Sequence, residues 1–212
     1  MTRVDRRRFL ASLAGAGSAL LAGCLGVDGA DVPPLPDLGG PDPATSEGSS
    51  EPPSVPTPER VAGIDPNALE RRVHAETNAA RTGRDLDALD FDTDLRAVAR
   101  YHSADMARRE YFAHESPDGE TVGDRYDRFG YDCRAPTGLF RYATAGENLF
   151  MLRFAAASED VESIAERAVE GWLESPGHRE NLLSDHWRRE GIGVAFDREG
   201  PVTAVYVTQN FC

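Results

Sequence analysis

The sequence GIGVAFDREGPVTAVYVTQNF, residues 191–211, sets the fold class of this chain. Its first half places Ile192, Val194 and Phe196 at alternate positions, and its second half alternates in the same way. A period of two is the pattern of a β-strand with one buried face. The Glu-Gly-Pro segment at 199–201 separates the two halves, so the stretch predicts a β-hairpin near the end of the chain.

Helical patterns precede this hairpin. Asp65 and Pro66 supply an N-cap and a favoured first helical residue, and Gly83 ends the periodic segment that follows. Apolar faces at helical spacing predict further helices at residues 93–110, 122–129 and 160–174. Because the helices come first and the strands last, the order predicts an α+β fold with an antiparallel sheet.

The charge of the chain limits its partners. There are 36 acidic residues against 23 basic ones, and every one of these basic residues is Arg. Nucleic-acid binding is disfavoured, because phosphate recognition needs a basic surface. The acidic excess is typical of a protein from a salt-loving organism, where salt screens self-repulsion, although an acidic protein from a GC-rich genome would look similar. We expect a monomer.

The N-terminus carries an export pattern. Arginines at positions 6–8 precede Phe9, Leu10 and a short apolar run, which resembles the twin-arginine signal of proteins exported in the folded state. The run ends in Leu-Ala-Gly before Cys24, which resembles a lipobox whose cysteine is lipidated. Residues 1–23 are therefore predicted to be a signal peptide. The mature protein would lie on the extracellular face of the cell membrane through a lipid anchor, or be secreted if Cys24 is incidental.

Residues 24–62 have the composition of a linker, rich in Pro, Gly, Asp and Ser. Such a segment cannot bury enough apolar surface to offset its ordering entropy, so we expect it to be disordered. The folded domain is then residues 63–212. It contains Cys133 and Cys212, and outside the cytoplasm we favour a disulfide between them over two free thiols.

Two of the five histidines are candidates for function. His114 and His178 each lie beside a turn or a helix start, with a Ser-Pro pair close by. The other three fit structural or surface roles: His74, His102 and His186. Glu147 follows a glycine and precedes an apolar run, so it is a candidate half-buried carboxylate that needs a partner. The sequence contains no signature of a zinc metalloprotease, a paired-cysteine metal site, a serine hydrolase or a phosphate loop.

The stretch SPGHRENLL, residues 175–183, predicts a short helix that holds His178. Ser175 would be the N-cap, with its hydroxyl accepting the backbone N–H of Gly177 or His178, and Pro176 would be the first helical residue. The helix dipole at this end disfavours the imidazolium. We therefore expect His178 to be neutral and able to coordinate.

Six segments occur in an order that resembles the CAP superfamily of cysteine-rich secretory proteins, antigen 5 and pathogenesis-related proteins. They are ETNAARTG, LRAVARYHSADMA, FAHESPDG, AGENLF, AVEGWLESPGHRENLL and GIGVAF. The resemblance covers residues 65–212 and is strongest to the prokaryotic branch. It implies an α-β-α sandwich with a central antiparallel sheet, and a cleft lined by histidines and acidic residues.

Residue by residue, the resemblance assigns His114, Glu147 and His178 to that cleft. The fourth family position departs, because animal members have a glutamate where this chain has Ser175. Glu174 is one residue away and Glu170 lies one turn earlier on the predicted helix face. A three-ligand site for zinc or another divalent cation is one interpretation. The other is a hydrogen-bonded His–Glu cluster that orders the cleft.

Three functions remain open on the sequence. We favour a non-enzymatic binding module whose cleft holds a divalent metal or a small apolar ligand, such as a lipid or a cell-surface molecule. The alternative is a metal-dependent hydrolase acting on cell-surface polymers or peptides, with Glu147 or Glu174 as base. The third is a purely structural envelope protein.

Overall fold

The computed structural model describes residues 53–55, 58–155 and 158–212. The predicted signal peptide, Cys24 and most of the predicted linker lie outside these ranges. Within them, no helix combines the length and the apolarity that crossing a membrane requires.

Five helices lie in the described ranges, and each predicted helix is among them. They are α1 (Pro66–Thr82), α2 (Thr93–Arg109), α3 (Val122–Arg128), α4 (Val161–Glu174) and α5 (Pro176–Leu182). The start of α1 is confirmed in detail. The Asp65 carboxylate accepts the backbone N–H groups of Asn67 and Ala68, and proline occupies the first turn.

The strands of the described ranges form a four-stranded sheet and a separate hairpin. They are β1 (Asp90–Phe91), β2 (Ala135–Gly138), β3 (Arg141–Ala143), β4 (Gly146–Ala155), β5 (Arg189–Glu199) and β6 (Val202–Phe211). The order in the main sheet is β1-β5-β6-β4, and β2 pairs with β3. The predicted β5–β6 hairpin is confirmed, and β6 also pairs antiparallel with β4.

The edge strand β1 adds one parallel pair to the predicted antiparallel sheet, so the central sheet is mixed. Asp90 and Phe91 pair parallel with Arg189 and Glu190 of β5. The backbone N–H of Asp90 donates to the carbonyl of Arg188 at 2.9 Å. A strand of two residues is too short to show a period in the sequence, and its direction is set by the chain entering α2 directly after it.

The sheet lies between two helical layers, which confirms the predicted α-β-α sandwich. On one face, α1 and α4 pack against alternate residues of β5 and β6: Ile192, Val194, Val205 and Val207. On the other face, α2 packs through Met106 and Ala107 against smaller side chains of the same strands, Ala195 and Ala204 among them. Both faces of the β5–β6 hairpin are therefore buried.

Two glycines of β5 allow α2 to lie directly on the sheet. Gly191 and Gly193 alternate with the apolar residues and so face α2. A Cβ atom on Gly193 would overlap the backbone nitrogen of Arg100 and would lie 2.6 Å from the carbonyl oxygen of Ala99. A Cβ atom on Gly191 would overlap the backbone in the same way, one helical turn earlier. The helix backbone occupies the space that side chains would take.

The disulfide favoured from the sequence is present. Cys133 and Cys212 are bonded, with their Cα atoms 5.6 Å apart and a sequence separation of 79. Both are buried in a cluster that includes Tyr126, Trp187 and Phe211. Closing a loop of this length lowers the entropy of the unfolded chain, which stabilises the fold by roughly 4 kcal/mol in the chain-entropy description.

Candidate functional site

Glu147 is the centre of the candidate site. It is the second residue of β4, opposite Asn210 of β6, and its side chain is 2% exposed. One carboxylate oxygen, Oε2, accepts a hydrogen bond from Arg125 Nη2 at 2.8 Å. The other, Oε1, lies 2.9 Å from His114 Nδ1. Because an ionised carboxylate only accepts, Nδ1 of His114 must carry the proton, which leaves the lone pair on Nε2 free.

Arg125 of α3 stabilises this arrangement. Its side chain is fully buried, and it compensates the charge of Glu147. It also donates to the backbone carbonyls of His114, at 2.9 Å, and Glu120, at 3.1 Å. The guanidinium therefore connects α3, the loop that carries His114 and strand β4. This residue was not predicted from the sequence, where an arginine in a short helix rich in charged residues indicates an exposed position.

His178 faces His114 across the cleft. The centroids of the two imidazole rings are 6.1 Å apart. Helix α5 is fixed to β4 by amide side chains: Asn148 donates to the carbonyl of His178 at 3.1 Å, and Asn181 donates to the carbonyl of Glu147. Partial burial, with a smaller contribution from the nearby His114, lowers the pKa of His178. The neutral form is favoured, in the direction expected from the sequence.

The predicted cap of α5 is wrong in one respect. Ser175 does precede the helix and Pro176 does occupy its first turn, but the Ser175 hydroxyl makes no capping hydrogen bond. Ser175 is shared by two helices. Its N–H caps α4 by donating to Gly171, and its carbonyl accepts the N–H of Arg179 at 2.8 Å. Its backbone, rather than its hydroxyl, makes the junction.

The structure thus brings His114, Glu147 and His178 together, while the two candidates for a fourth position make no polar contact with them among the described residues. Glu170 and Glu174 are exposed on α4, and neither forms a hydrogen bond or ion pair with another described residue. In the described part of the chain, no group of three or more His, Cys, Asp or Glu side chains is placed to hold a metal ion. Both oxygens of Glu147 already accept hydrogen bonds, so the groups that remain to bind a ligand are the imidazoles of His114 and His178.

A third histidine, His102 of α2, lies behind the site. It is 1% exposed. Its Nε2 is 3.0 Å from the carbonyl oxygen of Ala113 and 3.9 Å from Oε1 of Glu147. Burial lowers the pKa of His102 to about 4, against an opposing effect of the Glu147 charge. A structural role for His102 was predicted, and its position on the apolar face of α2 was the signal of its burial.

We predict that protonation of His102 weakens the fold at acidic pH. The pKa of His102 is about 4 in the folded state and 6.5 in the unfolded state, so the unfolded state takes up the proton first as the pH falls. The stabilisation is complete above pH 6.5 and is lost as the pH falls toward 4. At about 1.4 kcal/mol per pKa unit, the loss is about 3 kcal/mol. Urea denaturation from pH 7 to 4 measures it.

The substitution His102→Gln should remove this part of the pH dependence, because Gln can still donate to the Ala113 carbonyl but does not titrate. The same substitution at the half-buried His186, whose pKa burial also lowers, should remove a smaller part. An unchanged slope of unfolding free energy against pH in His102→Gln would contradict the assignment.

Comparisons with known proteins identify a family. Residues 74–211 match the family model CAP, described as the cysteine-rich secretory protein family. The uncharacterized protein YkwD of Bacillus subtilis is 31% identical over 151 residues, which cover 71% of this chain and 49% of that protein. The uncharacterized membrane protein YlbC of the same organism is 34% identical over 142 residues, covering 67% of this chain and 34% of that protein.

A solved structure shares the fold. An extracellular protein from Bacillus anthracis that contains an SCP domain superposes with a TM-score of 0.50 at 32% identity, covering 69% of this chain and 40% of that chain. The chain therefore spans less than half the length of each of these three relatives. The region matched by the family model, residues 74–211, includes the sheet, α2 to α5 and the three cleft residues. The chain belongs to the CAP family of cysteine-rich secretory proteins.

Proposed function

We propose that the chain is an exported, non-catalytic binding module that binds a divalent cation such as zinc at the His114–His178 pair. One observation carries this proposal. A buried, charge-compensated Glu147–Arg125 pair orients His114, which is 55% exposed, toward a second imidazole whose centroid is 6.1 Å away. Holding a histidine through its Nδ1–H leaves Nε2 available to a ligand and is the usual way in which proteins orient metal-binding histidines.

The donor set fits a cation bound through two protein ligands. Imidazole nitrogens suit zinc and its neighbours among the transition metals. Because Glu147 is engaged on both oxygens, the remaining coordination positions would be filled by water or by groups of a bound molecule. Zinc sites with few protein ligands keep open positions, so such a site would recognise a molecule that itself offers donor atoms.

The hydrogen bonds of Glu147 favour a binding role over the hydrolase alternative. A general base must be free to take a proton from water. Glu147 is not free in this sense, because its two oxygens are held by Arg125 and His114. The buried carboxylate that contacts His114 is thus engaged on both oxygens and is a poor candidate for the base.

The N-terminal sequence and the relatives support a location outside the cell. Arginines at positions 6–8 and the lipobox pattern at Cys24 indicate export and lipidation. The relative from Bacillus anthracis is described as extracellular, and YlbC as a membrane protein. We propose a lipid anchor at Cys24. Mass spectrometry of the mature protein should find Cys24 as a lipidated N-terminus, and an unmodified N-terminus beyond it would disprove the anchor.

Calorimetric titration with zinc tests the cation site. The wild type should bind about one equivalent, and His114→Ala and His178→Ala should each weaken binding at least roughly tenfold, because each removes one of two protein ligands. His186→Ala removes a histidine outside the cleft and should bind as the wild type does. Equal affinities across all four proteins would reject the proposal.

A further inference from the structure

The hairpin formed by β2 and β3 ends in an exposed apolar tip. Leu139 and Phe140, at the turn, are 84% and 86% exposed, and Tyr142 is 57% exposed. A single exposed apolar residue needs no explanation, but three within four positions form a patch of the kind that marks an interaction surface. Phe140 also has a φ of 59°, a left-handed conformation that bulky residues rarely adopt. Neither burial nor backbone preference accounts for these side chains.

The charge around the tip is opposite to that of the rest of the chain. Residues 133–145 include two arginines and no Asp or Glu, in a chain whose formal net charge is −13. The exposed Arg134 is 3.3 Å from Asp132 at the base of the hairpin. The Arg141 side chain, beside the tip, makes no hydrogen bond or ion pair with another described residue. This hairpin is thus a locally cationic part of an acidic protein, and it is suited to face an anionic surface.

The base of the hairpin is held firmly while its tip is exposed. Cys133, which precedes β2, is bonded to Cys212. Ala135 is 4% exposed and pairs with Ala143, which packs against the same buried cluster. Beyond this pair, the side chains of the hairpin are exposed up to the turn. A fixed base and an exposed tip allow the tip to enter a partner without rearrangement of the domain.

We propose that this hairpin docks on the surface of an anionic lipid bilayer. Leu139 and Phe140 enter the boundary between headgroups and acyl chains, Tyr142 lies at the level of the headgroups, and Arg141 binds lipid phosphates. A stable protein interface uses roughly 20–30 residues on each side, whereas the tip has three exposed apolar side chains, so a lipid surface fits it better.

Docking by the hairpin would add to the anchor proposed at Cys24. A single acyl chain gives marginal and reversible membrane binding, and stable attachment takes a second contact. The hairpin supplies such a contact through side chains alone. Its binding depends neither on lipidation of Cys24 nor on a cation between the two histidines, so the three proposals stand or fall separately.

A local fluorescence reporter tests the docking in the full chain carrying Cys24→Ser. Phe140→Trp places an indole at the tip, whereas the native Trp172 and Trp187 are buried. On phosphatidylglycerol vesicles its emission should shift to the blue, and brominated acyl chains should quench it by at least about half, with a weaker response on phosphatidylcholine. Phe112→Trp, a matched reporter at a half-exposed position outside the hairpin, should not respond.

Vesicle co-sedimentation of the same Cys24→Ser chain measures the affinity. Leu139→Ser/Phe140→Ser should weaken binding to phosphatidylglycerol vesicles at least roughly tenfold, since two large apolar side chains lose their burial. Arg141→Glu should weaken it several-fold, and Arg84→Glu, an exposed change far along the chain, should not. All of these side chains are exposed, so the thermal unfolding temperature should stay near that of the wild type.

Three outcomes would overturn the docking proposal. The first is a Phe140→Trp emission spectrum that vesicles do not change. The second is equal sedimentation of the wild type and the double serine variant. The third is a dimer in vesicle-free solution, seen by analytical ultracentrifugation, that the double serine variant abolishes, because the tip would then bind a second copy of the chain.

Discussion

Gly193→Ala is expected to destabilise the fold by about 3 kcal/mol or more, although it adds a single methyl group. The new Cβ atom would overlap the backbone nitrogen of Arg100 and would lie 2.6 Å from the carbonyl oxygen of Ala99. Overpacking against side chains costs about 1–3 kcal/mol because they can move to other rotamers. Here the obstacle is helix backbone, so either α2 must move away from the sheet or β5 must bend. Urea denaturation monitored by circular dichroism measures the loss.

Gly177→Ala is the matched control for this prediction. In α5, a Cβ atom on Gly177 would meet no atom within 4 Å, and its backbone is not in the left-handed region. Since alanine favours a helix more than glycine does, the control should be neutral or stabilising by up to about 1 kcal/mol. A Gly193→Ala protein as stable as this control would show that α2 does not lie on β5 as closely as described.

Displacement of α2 would also reach the site, because α2 carries His102. The Ser103 hydroxyl of the same helix donates to the carbonyl of Gly193 at 2.9 Å, and its oxygen accepts from the hydroxyl of Thr208 at 2.8 Å. Any shift that relieves the overlap at Gly193 breaks these buried hydrogen bonds, and each buried group left unpaired adds about 1–3 kcal/mol. The overlap at Gly193 and the loss of these hydrogen bonds therefore both lower the free energy of unfolding.

The elements with a clear period could be predicted, and those without one could not. The β5–β6 hairpin and helices α1 to α4 followed from periods of two and of about 3.6 residues, and α5 followed from its Ser-Pro start. Strand β4 was missed because it begins with Gly146, Glu147 and Asn148, which are buried although two of them are polar. A strand that buries polar residues in a functional site has no apolar alternation there to recognise.

The glycines of β5 show a second limit of the same kind. At Gly191 and Gly193 the sequence pattern predicts one buried and one open face, yet both faces are covered. A glycine is as consistent with an exposed position as with close contact to another backbone. The choice depends on α2, which lies about a hundred residues earlier in the chain, and no local pattern contains that information.

The three cleft residues were predicted from resemblance to a family. Arg125, the positively charged side chain that compensates Glu147, was not predicted. His114, Glu147 and His178 lie about 30 residues apart in sequence, so spacing alone could not join them. Arg125 lies on the short helix α3, where exposed charged neighbours give no sign that one arginine is fully buried. The need of Glu147 for a partner could be predicted from the cost of burying a charge, but not which residue meets it.

Arg125→Met is expected to cost about 3–5 kcal/mol, the largest single effect that the site predicts. Methionine fills much of the same volume, so little of the loss comes from packing. The loss comes from Glu147, whose carboxylate is 2% exposed and would be left as an uncompensated buried charge. The carbonyls of His114 and Glu120 would lose a donor as well. Chemical denaturation at pH 7 measures the change in the free energy of unfolding.

Arg128→Met on the same helix is the matched control. Arg128 is 50% exposed and pairs with Glu120 at 2.6 Å, and exposed ion pairs contribute about 0–1 kcal/mol. The two substitutions are chemically identical, one turn of helix apart, and differ in burial. A loss in Arg125→Met no greater than that in Arg128→Met would contradict the assignment of Arg125 as the residue that compensates Glu147.

The double variant Arg125→Met/Glu147→Gln distinguishes the charge compensation by Arg125 from its hydrogen bonds to backbone carbonyls. If the loss in Arg125→Met reflects the unpaired carboxylate, then removing that charge should restore most of the stability, because replacing both members of a buried pair is far less costly than removing one. If the double variant stays as unstable as Arg125→Met, the guanidinium acts instead through the backbone carbonyls of His114 and Glu120. In the first case Arg125 makes it possible to bury the carboxylate that orients His114. The orientation of His114 then depends on a buried guanidinium that does not itself contact a ligand.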